Sequence, residues 1–190
     1  MKTIACLGDS NTFGFDPQSL WGERYPKDVR WPDRLAAAGF RVHNFGQNGL
    51  GVSRVVAHEV MVWQLQTVQP LDAVVVMLGS NDLLMGLSAK ETVRAMENLV
   101  SLILEKKAAE TVWLIAPPSL KPGTWVQGEE MIEESKRLAE AYRRLAEEKK
   151  ICFADAGGWD IPLAYDGVHF TAEGHRSFSD KLAELLARPC

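Results

Sequence analysis

Cysteine is scarce in this chain. The three present, Cys6, Cys152 and Cys190, stand far apart and form no CxxC pair. An odd count without that spacing argues against a disulfide framework and against a thiolate zinc site. Cys6 and Cys152 fall in short apolar runs and are expected as small buried hydrophobes. Long apolar runs are missing as well: nothing approaches the ~18 residues of a membrane-spanning helix. The stretch from Met1 to Leu7 reaches Gly8-Asp9 too soon to act as the apolar part of a secretion signal. A reduced, cytoplasmic location and no membrane partner are the expectations. An excess of basic charge is absent too. With 21 Lys and Arg against 25 Asp and Glu, the net charge is −4, so nucleic acid is not an expected partner. Low-complexity tracts, repeats and interdomain linkers are lacking, which points to one domain over residues 1–190. What is there is globular composition: 46% hydrophobic and 24% charged residues in 190, enough for one substantial core.

Short apolar runs alternate with helical patterns. Strands are predicted at Thr3–Leu7, Val42–Phe45, Ala73–Leu78, Val112–Ile115 and Ile151–Phe153. The third is continuous and β-branched, as a strand covered on both faces requires. Helices are predicted from Trp31 to Ala38 and from Val52 to Val68. Another begins at Ser88-Ala89-Lys90-Glu91, a capping box in which each side chain can satisfy an orphan amide. A fourth opens with Glu129, Glu130, Glu133 and Glu134 and closes with Arg143, Arg144, Lys149 and Lys150, which complements its dipole. Its Ile132, Ser135, Leu138, Tyr142 and Leu145 are expected on the sheet. A last helix starts near Thr171. This alternation implies a three-layer α/β/α fold, flavodoxin-like and doubly wound, around five mainly parallel strands. In such sheets the ligand site lies beyond the carboxyl ends of the strands.

Chemically capable residues cluster at those ends. They are Gly8-Asp9-Ser10-Asn11-Thr12-Phe13-Gly14, Asn44-Phe45-Gly46-Gln47-Asn48-Gly49, Gly79-Ser80-Asn81-Asp82 and Asp166-Gly167-Val168-His169. Together they hold a hydroxyl, a base, a carboxylate and hydrogen-bond donors, the parts that acyl transfer needs.

The four blocks GDSNTFG, NFGQNGLG, LGSND and DGVHFTAEGH, in this order and spacing, resemble the SGNH hydrolases, the GDSL-type esterases and lipases. The run Arg24 to Arg34 is similar to the small arylesterase and acetylesterase branch. The resemblance implies Ser10 as nucleophile, His169 as general base and Asp166 as the carboxylate that orients it. It implies an oxyanion hole from the Ser10 amide, the Gly49 amide and the Asn81 side chain. Gly46 and Gly51 stand close enough to Gly49 to be alternatives to it. The family often has Leu where this chain has Asn11, so Asn11 is a candidate for the substrate pocket. Asp9 and Asp82 flank these residues and are expected to organise their loops.

The function so implied is a serine esterase for small short-chain acyl esters, whether acetyl esters, aryl esters or acetylated carbohydrates, working through an acyl-enzyme on Ser10. Acyl transfer to alcohols would use the same site. A flavodoxin-like module holding a phosphate or cofactor at the first loop is the alternative from another class; it leaves Asp166 and His169 without a role. The esterase needs no cofactor, and no metal-ligand spacing such as HExxH occurs. Trp63 and Trp113 are expected in the core, while Trp21, Trp125 and Trp159 fall in loops. Trp21 and Trp125 are further pocket candidates. The loop Pro117 to Gly128 follows the fourth strand and is a candidate specificity loop. The loop tryptophans and the habits of related small esterases leave a homo-oligomer among the expected states.

Overall fold

A computed structural model describes residues 1–188 and 190. Five strands form its sheet: β1 (Thr3–Gly8), β2 (Arg41–Gly46), β3 (Ala73–Met77), β4 (Thr111–Ala116) and β5 (Cys152–Asp155). Their order is β2-β1-β3-β4-β5 and every pairing is parallel. The chain therefore leaves β1 in one direction for β2 and returns to the other side of β1 for β3. The point between β1 and β3 is the topological switch, where doubly wound sheets open a crevice.

Alternation along each strand divides the core. Ala5, Leu7, Val74, Val76 and Leu114 face one layer, built from α3 (Val55–Thr67), α5 (Ala89–Glu105) and α6 (Glu129–Lys149). Ile4, Cys6, Val75, Met77 and Ile115 face the other, built from α2 (Trp31–Ala37) and α7 (Ala172–Leu186). The expected capping box at Ser88 and Glu91 is formed at the start of α5. On α6, Ser135, Leu138, Tyr142 and Leu145 are buried, and Ile132 is half-buried against the same core. Two short helices, α1 (Ser10–Phe13) and α4 (Ser80–Leu84), follow β1 and β3 directly. They are too brief for hydrophobic periodicity to reveal.

Two expectations are corrected. Cys152 is buried, but it is not a lone hydrophobe: it forms a disulfide with Cys190, their Cα atoms 5.8 Å apart. Counting cysteines could not foresee this, because the pairing depends on α7 returning the chain end beside the start of β5. Cys6 remains free and buried. Trp63 is 63% exposed rather than in the core. Helix α3 buries His58, Met61, Val62 and Leu65 and leaves Val56, Val60 and Trp63 outside. Its apolar residues run all round, so their spacing could not identify the inner face. Among the described residues, no helix is long and apolar enough to cross a membrane.

Candidate active site

Strand β1 ends at Gly8, where space excludes a side chain: a Cβ there would stand 2.0 Å from Thr12 Oγ1 and 2.9 Å from the Met77 carbonyl. The chain then turns into α1. The Asp9 carboxylate caps that turn by accepting the Asn11 amide at 3.0 Å. Ser10 is the first helical residue, and Gly14 closes the turn in the left-handed region at φ 89°. This sharp turn at the switch point carries Ser10 to the carboxyl edge of the sheet.

His169 and Asp166 arrive from the opposite end of the chain. The Ser10 Oγ and His169 Nε2 are 2.9 Å apart, and His169 Nδ1 lies 2.7 Å from Asp166 Oδ2. A carboxylate only accepts, so Nδ1 carries the proton and Nε2 is left to accept from the serine hydroxyl. The other Asp166 oxygen accepts the backbone amides of Val168 and His169, each at 2.9 Å. Burial alone would raise the Asp166 pKa. The His169 ring bond and the two amides outweigh it and hold the carboxyl below its ordinary value. The loop after β4 supports this turn. Lys121, Thr124 and Trp125 donate their amides to the carbonyls of Gly167, Tyr165 and Asp166. At Gly123 a Cβ would lie 2.3 Å from the Asp166 backbone, which explains glycine there.

Asp9 is as little exposed as Asp166 but lies deeper in the protein, and it behaves differently. Burial pushes its carboxyl up to about 6, against the opposing pull of the Asn11 amide and of His169. Asp82 is fully buried. Its two oxygens accept the amides of Val52 at 2.9 Å and Ser53 at 2.8 Å, and so tie down the loop that contains Gly49. Both aspartates thus touch loops and not the cleft. His175, also fully buried, is pushed down to about 3, chiefly by burial and also by Arg30 and His169. Its Nδ1 accepts the Trp31 amide at 3.4 Å.

The cleft beside Ser10 has a volume of about 110 Å³ and is lined by Ser10, Phe15, Asn48, Gly49, Asn81, Trp125 and His169. Gly49 sits on its wall at φ 70°. Gly46 is otherwise engaged: its amide donates to Asn44 Oδ1 at 2.8 Å, and its Cα packs against the backbone of Thr12 and Phe13. Asn81 donates one Nδ2 hydrogen to the Leu50 carbonyl at 3.2 Å. Its amide group has a second hydrogen for a ligand. Trp125 stands edge-on to the His169 ring at 4.9 Å, and Phe15 lies at 4.7 Å from it.

Of the expected pocket residues, Trp125 lines the cleft. Trp21 does not: it is 87% exposed on the loop between Phe15 and Arg24. Asn11 is buried, with its side chain engaged by the backbone around His169. Trp159 packs on Phe178 in the core. Phe15 and Asn48 line the cleft without having been singled out in the sequence. Phe15 directly follows the block that ends at Gly14, and Asn48 lies within the block that ends at Gly49; that placement was the available signal. Among the described residues, no group of three or more His, Cys, Asp or Glu side chains is arranged to ligate a metal.

Comparison with known proteins bears on the family and the fold. A family model described as GDSL-like lipase/acylhydrolase matches residues 6–177. A carbohydrate acetylesterase from Sinorhizobium meliloti superposes with a TM-score of 0.88 at 28% identity, covering 98% of this chain and 99% of its own. The aryl esterase of M. smegmatis gives the same TM-score at 30% identity, again over 98% of this chain and 99% of its own. A candidate arylesterase from Agrobacterium tumefaciens is 32% identical over 98% and 99% of the two chains, with a TM-score of 0.87. No curated protein matches the chain. With the family model spanning most of its length, this chain belongs to the GDSL-like lipase/acylhydrolase family and is a carboxylic ester hydrolase.

Proposed function

We propose that the enzyme hydrolyses small esters with short acyl groups, acetyl above all, through an acyl-enzyme on Ser10. The observation that carries this reading is the hydrogen-bonded chain from Ser10 to His169 to Asp166, opening on a cleft of only about 110 Å³. Such a cleft beside Ser10 suits an acetyl group.

His169 Nε2 accepts the Ser10 proton as Oγ attacks the ester carbonyl. Asp166 stabilises the imidazolium that forms. The carbonyl oxygen, now negative, is met by the Ser10 amide, the Gly49 amide and the free Nδ2 hydrogen of Asn81. His169 then protonates the leaving alcohol, and the acyl group stays on Ser10. Water, deprotonated by the same imidazole, releases the acid. An alcohol entering in place of water would give a transferred ester by the same steps. Phe15 and Trp125 offer an apolar flank for an aromatic or sugar-ring leaving group.

A ladder of p-nitrophenyl esters from acetate to decanoate, run on wild type and Ser10→Ala together, tests the reading. Turnover is expected to peak at acetate or butyrate and to vanish in the variant, whose fold should persist because a small residue replaces another. Activity peaking at decanoate, or surviving without Ser10, would overturn it.

A further inference from the structure

Asp166 and His169 form a closed unit. All three bonds to the Asp166 carboxylate come from within the next three residues. They orient the imidazole relative to its own turn. They do not place that turn relative to Ser10, which is 159 positions away in the chain. Asn11 spans this gap. Its Nδ2 donates to the Val168 carbonyl at 3.1 Å, and its Oδ1 accepts the Phe170 amide at 2.8 Å. These two groups flank His169, one residue before it and one after.

We propose that Asn11 is a positioning residue that sets the Ser10–His169 distance by bracketing the backbone on both sides of His169. The inference rests on the serine-esterase reading given above. Asn11 is peptide-bonded to Ser10, so whatever it grips is indexed to the nucleophile. Its own position is determined from three sides. The Asp9 carboxylate accepts its amide at 3.0 Å, the Trp31 indole Nε1 donates to its carbonyl at 2.9 Å, and the side chain is buried. The contact copies a parallel ladder, in which one residue bonds the carbonyl before and the amide after the residue facing it. Asparagine presents a donor and an acceptor side by side at this reach. Leucine, frequent at this position in the family, offers neither, and would leave the buried Val168 carbonyl and Phe170 amide without these partners. Aspartate keeps the acceptor but sets a second oxygen against the Val168 carbonyl.

The test uses the full chain and two variants, Asn11→Leu and Asn11→Asp. Four quantities are measured: kcat and KM on p-nitrophenyl acetate, the rate at which a fluorophosphonate labels Ser10, the Tm, and the downfield proton resonance of the Asp166–His169 hydrogen bond. Both variants are expected to keep the downfield proton and a near-normal KM while kcat and labelling fall together by about 100-fold, the scale of a 1 Å misplacement. A merely structural role would lower Tm and leave kcat of the folded fraction alone. A folded variant with wild-type kcat and labelling overturns the bracket, and so does loss of the downfield proton, which would place the effect within the Asp166 turn. If Asn11→Leu does not fold, Asn11→Asp, of the same size, decides. A wild type that neither turns over esters nor takes the label overturns the esterase reading and the bracket with it; an active wild type with unimpaired variants overturns the bracket alone.

Discussion

Asp9 and Asp166 begin the two turns that meet at Ser10 and His169. Both are almost wholly enclosed, 2% and 1% exposed, and each accepts a backbone amide from just ahead of it in the chain. Their proton affinities nevertheless move in opposite directions. Asp166 gathers two amides and an imidazole N–H and is held acidic. Asp9 lies deeper in the protein and has fewer donors; burial raises it to about 6, with Asp82 adding to the rise. The pair shows that enclosure alone does not decide whether a carboxyl stays charged. Depth within the protein and the number and charge of the hydrogen-bond donors decide it together. One carboxylate is thereby prepared to face an imidazolium, and the other serves mainly as a cap.

Replacing the two residues in turn gives the sharpest contrast. Asp166→Asn should lower kcat by about four orders of magnitude, because an amide cannot enforce the Nδ1–H tautomer or stabilise the imidazolium. Steady-state kinetics on p-nitrophenyl acetate would measure it, and a small loss would deny Asp166 its role. Asn81→Ala should cost about 3–4 kcal/mol in kcat/KM, the scale of one lost oxyanion donor. KM should change little if the bond forms only in the transition state.

Asp9→Asn should have the smallest effect on turnover and a measurable one on stability. The folded pKa of Asp9, about 6, lies above its ordinary value of 3.8. The stability linked to this group is therefore fully present below about 3.8 and is lost as the pH rises through about 6. Asparagine does not titrate but can still accept the Asn11 amide. Relative to wild type, the variant should gain up to about 3 kcal/mol between pH 3 and pH 8 in denaturant unfolding. A difference that does not change with pH would remove the contrast between the two aspartates.

The central strand and the long helices were legible in the chain because the preferences that form them are local. The β-branched run at β3, the capping box at Ser88 and the hydrophobic periodicity of α5 and α6 each express a preference within a few residues. The block residues Ser10, Asp166, His169 and Asn81 were legible for a related reason: in this fold reactive groups collect just after strands. Helix α3 was not legible in the same way. Its apolar residues lie on every side, so the exposure of Trp63 and Val56 had no periodic trace. The role of Asn11 was equally hidden. As a type beside the nucleophile it suggested the pocket, whereas its partners are the carbonyl and amide of residues more than 150 positions away.

By itself, the amino-acid sequence determined the alternation of strands and helices and the doubly wound class, and it named the candidate reactive set. The alternation and the class follow from propensities and periodicities that act over short stretches of chain; the candidate set follows from the resemblance of the four motif blocks. The tertiary structure alone decided that Cys190 meets Cys152, that Gly49 and not Gly46 opens on the cleft, and that two enclosed aspartates hold their protons differently. The reason is physical. Pairing, steric room and electrostatic environment are properties of neighbours in space, and the loops that supply those neighbours come together only when the sheet has assembled.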